Sequence, residues 1–169
     1  MKVLLAIFVL AVAVLSRLSI SSDGSLASRE AVIALPPDQC YQRLTDIASF
    51  PQWMISVQTV GGSHIPIKPK IGQHFVITTD WGFLGTIDQD VHVVKADGKR
   101  NFAYDVENWI GTHVEAHVEQ LGEKQCKVRL TVSSRVKNPL QKYLIHPFAR
   151  LYYSNWLTHS LLNFQLRYS

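Results

Sequence analysis

Cysteine is nearly absent from this chain. Its two residues, Cys40 and Cys126, have neither CxxC spacing nor metal-ligand companions at zinc spacing, which excludes a zinc module legible from spacing. Runs of Lys or Arg are missing as well. The 17 basic residues are scattered among 13 acidic ones, so no nucleic-acid patch can be read and a nucleic-acid partner has no support. There is no GxSxG elbow, no phosphate-cradling glycine loop and no Cys–His signature. Internal repeats and low-complexity tracts are also lacking. Charged residues make up 18% and apolar residues 47% of 169 residues, a composition that excludes a disordered chain and fits one domain with one core.

What is there begins with an apolar run. Val3–Leu15 carries no polar side chain. As a helix it would span about 20 Å, short of the roughly 30 Å hydrocarbon layer and suited to a signal peptide. Continued through Arg17 to Ile20 it would cross a bilayer, with Arg17 snorkelling. Residues 1–22 therefore read as a signal peptide or a membrane anchor, and residues 23–28 as a small, polar linker. Either way the domain, 29–169, is expected at the outer face of a membrane, periplasmic or otherwise extracytoplasmic, secreted or anchored by residues 3–20. Outside the cytoplasm a Cys40–Cys126 disulfide is an option; two buried thiols is the plainer one.

Arg29–Leu35 reads as a strand bounded by Pro36-Pro37, and short helices follow through Leu44 and over Ile47–Phe50. Ile55–Val60, Gln73–Asp80, Thr86–Val94, Arg100–Glu107, Thr112–Gln120 and Lys124–Val136 alternate or have strand composition, and turn glycines separate the later ones. Such spacing predicts an antiparallel meander. One face of each strand is dry and the other wet, so the sheet is covered on one side. The expected cover is a helix opened by Asn138-Pro139, with Leu140, Leu144, Phe148, Leu151, Tyr152, Asn155, His159, Leu162 and Leu166 as its inward stripe and a kink at Pro147. The class is α+β.

The stretch REAVIALPPDQCYQRLTDIASFPQW, residues 29–53, has a strand, a Pro turn, a short helix, Leu44-Thr45-Asp46 and Pro51-Gln52-Trp53. With Asn138-Pro139-Leu140 opening the last helix, it resembles the START-like, polyketide cyclase/dehydrase (SRPBCC) superfamily, in particular bacterial members with an N-terminal hydrophobic segment. The resemblance covers about 29–166. It implies a helix-grip fold: a seven-stranded curved antiparallel sheet wrapped around a long C-terminal helix, two short helices between strands 1 and 2, and an elongated apolar cavity. It further implies that the first strand pairs with the last, bringing Cys40 toward Cys126. The fold hosts lipid carriers, aromatic-compound binders and enzymes, so it does not choose a function.

His113 and His117 stand at metal-site spacing for a helix, but on a strand they lie about 13 Å apart, too far for one ion. They, His92, Asp88, Asp90 and Glu115 read as outward groups. His146 reads as a feature of the kink; His64 and His74 flank an uninformative loop. No metal and no cofactor is called for. His159, Tyr104 and Asn155 are the catalytic candidates. The cavity set is Trp53, Phe102, Tyr104, Val114, Val118, Leu130, Val132, Tyr152 and Trp156, with Gln89, Thr112, Ser134, Asn155 and His159 as its polar points. Trp81, Phe83 and Trp109 are placed at turns or edges. A mostly apolar lining with a few polar points suits a small-molecule site.

Three readings follow. The first is a noncatalytic binder of a hydrophobic molecule such as a lipid, isoprenoid or polyketide-like compound, held to a membrane by its N-terminal segment. The second is a cyclase/dehydrase-like enzyme on an aromatic or polyketide-like substrate. The third is an envelope interaction module whose cavity is filled. Ligand identity and oligomeric state are not legible in the sequence.

Overall fold

The computed structural model describes residues 24–62, 68–82 and 85–169, apart from the side chains of Pro139, Leu140, Gln141 and Tyr143. The expected signal or anchor over 1–22, together with His64 and Phe83, lies outside the described residues. Among the described residues no helix is long and apolar enough to cross a membrane.

Seven strands form one antiparallel sheet: β1 Ser25–Ile33, β2 Val57–Gly61, β3 His74–Asp80, β4 Thr86–Ala96, β5 Asn101–Val106, β6 Thr112–Gln120 and β7 Cys126–Ser134. Their order in the sheet is β1-β7-β6-β5-β4-β3-β2. Helix α1, Pro37–Leu44, a 3-10 turn over Ile47–Ser49 and helix α2, Phe50–Trp53, join β1 to β2. Helix α3, Pro139–Tyr168, runs through Pro147 and covers the sheet.

The period-2 pattern fixes the covered face. Val91 and Val93 on β4, Phe102, Tyr104 and Val106 on β5, Val114, Ala116 and Val118 on β6, and Val128, Leu130 and Val132 on β7 are all buried. Their outward neighbours pair across strands, Lys95 with Glu115 at 3.0 Å and His113 with Asp105 at 2.6 Å. One dry face packed on one helix is the expected one-sided antiparallel sheet.

Two sequence expectations need correction. Residues 25–28, read as linker, are the first half of β1. Backbone pairing overrides their small, polar composition: Ala27 opposes Val132 and Ser28 opposes Thr131, and Leu26 and Ala27 are buried. Gly24 makes the approach possible, because a Cβ there would stand 2.6 Å from the Ser134 carbonyl oxygen.

The second correction is the inward stripe of α3. Leu144, Phe148, Leu151, Asn155, His159, Leu162 and Leu166 are exposed, Tyr152 is half-buried at the edge of the covered face, and the core is met by Ala149, Tyr153, Trp156, Leu157, Ser160, Leu161 and Phe164. Apolar residues occur on both sides of α3, so the 3.6-residue period fits either stripe. Tertiary anchors decide between them. The Arg29 guanidinium of β1 donates to the Ser154 and Thr158 hydroxyls, the Trp156 indole N–H donates to the Ile55 carbonyl at 2.9 Å, and the Ile55 N–H donates to the Ser160 hydroxyl at 3.1 Å.

A disulfide joins Cys40 of α1 to Cys126 at the start of β7, with Cα atoms 6.6 Å apart. Ile33 opposes Cys126 in the β1–β7 register. The bond therefore clamps the α1 segment to the edge pair of the sheet.

Candidate functional site

The space between sheet and α3 is closed at one end by aromatic rings. Trp53 packs against Phe164 at 5.0 Å and against Phe50 at 5.7 Å, both edge-on. Phe102 and Tyr104 complete this cluster with Leu130 and Val114, and the gap among them is only about 10 Å³. Edge-to-face rings of this size are a large share of a core's stabilisation.

Toward the other end an inner cavity of about 40 Å³ opens among Met54, Ile77, Val106, Val114 and Trp156. That volume holds roughly one water. Its polar points are Gln89, Thr79, Asn108, Thr112 and Tyr153. The Tyr153 and Thr112 hydroxyls are 2.7 Å apart, and the Asn108 amide donates to the Thr112 hydroxyl at 3.0 Å. Burial pushes the Tyr153 phenol up to about 12, against the hydrogen bond from Thr112 and helped by nearby Tyr152. Burial likewise raises the Tyr104 phenol, which reaches only the Met54 sulfur at 3.9 Å. Both phenols stay protonated across the ordinary pH range, as hydrogen-bonding groups and poor bases.

An outer pocket of about 300 Å³ lies beyond. It is lined by Trp109, Ile110, Ile145, Phe148 and Ala149, and presents no polar surface. Trp81 and Tyr152 line both the outer pocket and the inner cavity. Their rings stack with centroids 5.1 Å apart and planes 6° from parallel, so one aromatic pair is the partition between the two spaces. The Trp81 indole N–H donates to the Thr79 hydroxyl at 2.9 Å. The Tyr152 hydroxyl bonds the Ser56 side chain. Ser56 has φ 67°, the left-handed region that a serine occupies at a cost.

A broader depression of about 600 Å³ lies among Arg43, Asp46, Gln52, Arg167 and Tyr168. Its lining is mostly polar, which does not suit an apolar guest.

No sequence-family profile matches the chain, and no curated protein matches it. Solved structures do. A START superfamily protein from Mycobacterium smegmatis superposes with TM-score 0.54 at 12% identity, over 82% of this chain and 99% of that one. The di-domain ARO/CYC protein BexL of the BE-7585A biosynthetic pathway gives TM-score 0.65 at 14% identity, over 83% of this chain and 46% of its own. Ara h 8.0201 gives 0.52 at 13% identity, over 82% and 96%.

The chain has the START-like helix-grip fold.

Within this helix-grip domain the candidate cavity residues separate into three groups. Gln89, Tyr104, Thr112, Val114, Tyr152 and Trp156 line the inner cavity, and Trp53, Phe102 and Leu130 line the aromatic end. Val118 and Val132 are buried in the core without lining either space, and the Ser134 hydroxyl is committed to the Ile110 carbonyl at 2.7 Å. His159 and Asn155 are exposed on the outer face of α3, so they are not groups of the cavity. The helix is rotated from the expected stripe, which turns these two out and brings Tyr153 in.

The expected lining lacks Tyr153, Asn108, Met54, Ile77 and Thr79, and of the outer pocket's walls it holds only Tyr152. Tyr153 is adjacent to the chosen Tyr152; only the rotation of the helix separates them. Trp81 and Trp109 were placed at turns, where the structure has them, but the turn position hid their role as walls.

The outward histidines lie on the polar face as expected. His117 bonds the Asn101 side chain at 2.9 Å, and His92 lies between His74 and Glu107 at 3.2 and 2.8 Å. Among the described residues no group of three metal-ligating side chains comes together.

Proposed function

We propose that this domain binds a hydrophobic small molecule, lipid, isoprenoid or polyketide-like in character, at the outer face of a membrane. The observation that carries the reading is the shared aromatic partition: a wholly apolar pocket of about 300 Å³ backs onto a small cavity with hydroxyl and amide groups at its end. An apolar body would occupy the outer pocket. A carbonyl or hydroxyl end would pass the Trp81–Tyr152 pair and meet Gln89, Thr112 and Tyr153. Removing about 200 Å² of apolar surface from water contributes about 5 kcal/mol before the cost of association. The likeness to START and ARO/CYC folds supports the ligand class at the level of fold.

Transfer or storage fits the lining better than cyclase-like catalysis. The inner cavity is lined by neutral groups, without a carboxylate or imidazole among the residues that form it. General acid–base work calls for a group that titrates near the working pH.

The small inner volume favours one other reading, an envelope interaction module whose cavity is filled. Titration with dibromostearic acid separates them. Bromine quenches tryptophan on contact, so a binder shows saturable one-to-one quenching through Trp81 and Trp109. Quenching that never saturates, or that survives Trp81→Phe with Trp109→Phe, contradicts binding in this pocket.

A further inference from the structure

The inward side of β4 carries one residue that its pattern does not call for. Ile87, Val91 and Val93 are apolar, and among them Gln89 points into the inner cavity, only 9% exposed. It stands opposite Ile77 of β3, another wall of the same space. A buried amide is expensive unless it has a partner.

The other polar points of the cavity are already committed to the protein. The Thr79 hydroxyl accepts from the Trp81 indole at 2.9 Å and donates to the Ile87 carbonyl at 3.2 Å. The Asn108 side-chain oxygen accepts from the Ile110 and Thr112 backbone N–H groups, both at 3.2 Å, and its nitrogen donates to the Thr112 hydroxyl. Thr112 and Tyr153 bond each other. Gln89 is the exception: among the described residues its side chain makes no hydrogen bond. Tyr104 comes next, its hydroxyl meeting nothing better than the Met54 sulfur. The cavity therefore keeps an acceptor oxygen and a donor amide in reserve, both on Gln89.

Charge narrows what can meet them. No Lys, Arg, His, Asp or Glu lines the inner cavity. Burial pushes the Tyr153 phenol up to about 12 and raises the Tyr104 phenol as well. Surroundings that resist an anion on their own side chains resist one brought in by a guest, because an unpaired ion is the costliest group to bury. Size narrows it again. A space of about 40 Å³ suits a small terminal group, and a sugar or a phosphate is too large for it.

Given an apolar guest in the outer pocket, as proposed above, we infer that Gln89 selects it: the guest ends in an uncharged oxygen, an alcohol or a ketone, that bonds the Gln89 amide. Its apolar body fills the outer pocket on the far side of the Trp81–Tyr152 pair. A free fatty acid enters the outer pocket only with its carboxylate left at the open mouth, and never reaches Gln89. A phosphorylated lipid is held to the same orientation.

The test uses the purified full chain. It is titrated with dibromostearyl alcohol, with dibromo-octadecane and, at mildly alkaline pH, with dibromostearic acid, and tryptophan quenching gives each affinity. The titrations are repeated on Gln89→Met, whose side chain has a similar length and no amide to satisfy. The alcohol is expected to lose about tenfold, the worth of one hydrogen bond. The hydrocarbon and the ionised acid are expected to keep their affinities. With no guest added, Gln89→Met is expected to raise the melting temperature, since an unpaired amide leaves the interior. An alcohol indifferent to Gln89→Met overturns the inference. So does an acid that loses as much as the alcohol, an equal loss for all three guests, or a lowered melting temperature, which would give the amide a partner inside the protein. Absence of saturable quenching by any guest in the native chain is a different result: it overturns the binding of an apolar guest, and the selection by Gln89 along with it.

Discussion

Trp81, just after β3, and Tyr152, near the middle of α3, stack 5.1 Å apart with planes within 6°. This one contact joins the sheet's β3–β4 end to the helix and separates an open apolar pocket from a closed, polar-tipped cavity. A stacked pair contributes about 1 kcal/mol beyond its buried area. That is small enough to open and large enough to define a closed state.

Tyr152→Ala is expected to merge the two spaces. Thermal unfolding should fall by a few degrees, about 2–4 °C for each kcal/mol lost in a domain of this size. An anilinonaphthalene sulfonate probe should bind more tightly or faster than to the native chain. Unchanged probe binding with an unchanged melting temperature would show that the pair partitions nothing.

Ser56→Gly tests the same partition from its other side. Relief of the left-handed serine is expected to stabilise the fold by about 0.5–1 kcal/mol. Loss of the hydroxyl frees the Tyr152 side chain. Denaturant melts and probe on-rates should therefore rise together. A fall in stability would mean that the Ser56–Tyr152 bond outweighs the backbone strain.

Much of this architecture is legible in the sequence, and the boundary of what is legible has a physical cause. The strands alternate with period 2 and have one dry face, so Val91, Tyr104, Val114 and Leu130 can be placed inward from pattern alone. The Pro36-Pro37 turn and the Pro51-Gln52-Trp53 motif locate both short helices. Helix α3 defeats the same logic because Leu151 and Leu162 repeat as regularly as Leu157 and Leu161. The choice rests on Arg29 reaching Ser154 and Thr158, a contact across more than 120 residues of chain. The outer pocket is equally hidden, since Trp81, Trp109 and Phe148 come from two turns and a helix.

Tyr153→Phe removes the hydroxyl that meets Thr112 at 2.7 Å. Thr112 keeps its contact with Asn108, so the cost should be about 1 kcal/mol in a denaturant melt. Affinity for a guest with a carbonyl end should fall more than affinity for a pure hydrocarbon. Equal loss for both would remove Tyr153 as a polar contact of the guest.

Alkali tests the burial of the same phenol. Tyr153 is raised from the ordinary value of 10.0 to about 12 in the fold. The folded state therefore holds this proton more tightly than the unfolded state. Its contribution is complete below about pH 10 and is lost as the pH rises toward 12. Near-ultraviolet phenolate absorbance should show late-titrating tyrosines that ionise only as the fold is lost. Full ionisation at the ordinary tyrosine value in a still-folded chain would contradict the buried placement.

The Cys40–Cys126 bond closes a loop with a sequence separation of 86. Loop-closure entropy for that length corresponds to about 4–5 kcal/mol in the chain-entropy description. Cys40→Ala with Cys126→Ala, or reduction, is expected to lower the urea midpoint sharply while leaving strand content intact in the cold. A midpoint indifferent to reductant would mean that the α1 clamp contributes no stability.

The most direct test is of the guest itself. Protein isolated from the cells that make it is extracted with organic solvent and the extract weighed by mass spectrometry, beside a variant whose outer pocket is filled by Ile145→Trp. Ile145 is only partly buried, so the larger ring has room to settle without breaking the core. The native chain should release about one apolar molecule per protein, absent from the filled variant. Identical extracts from the two would contradict a binding site between Trp109, Phe148 and the Trp81–Tyr152 pair.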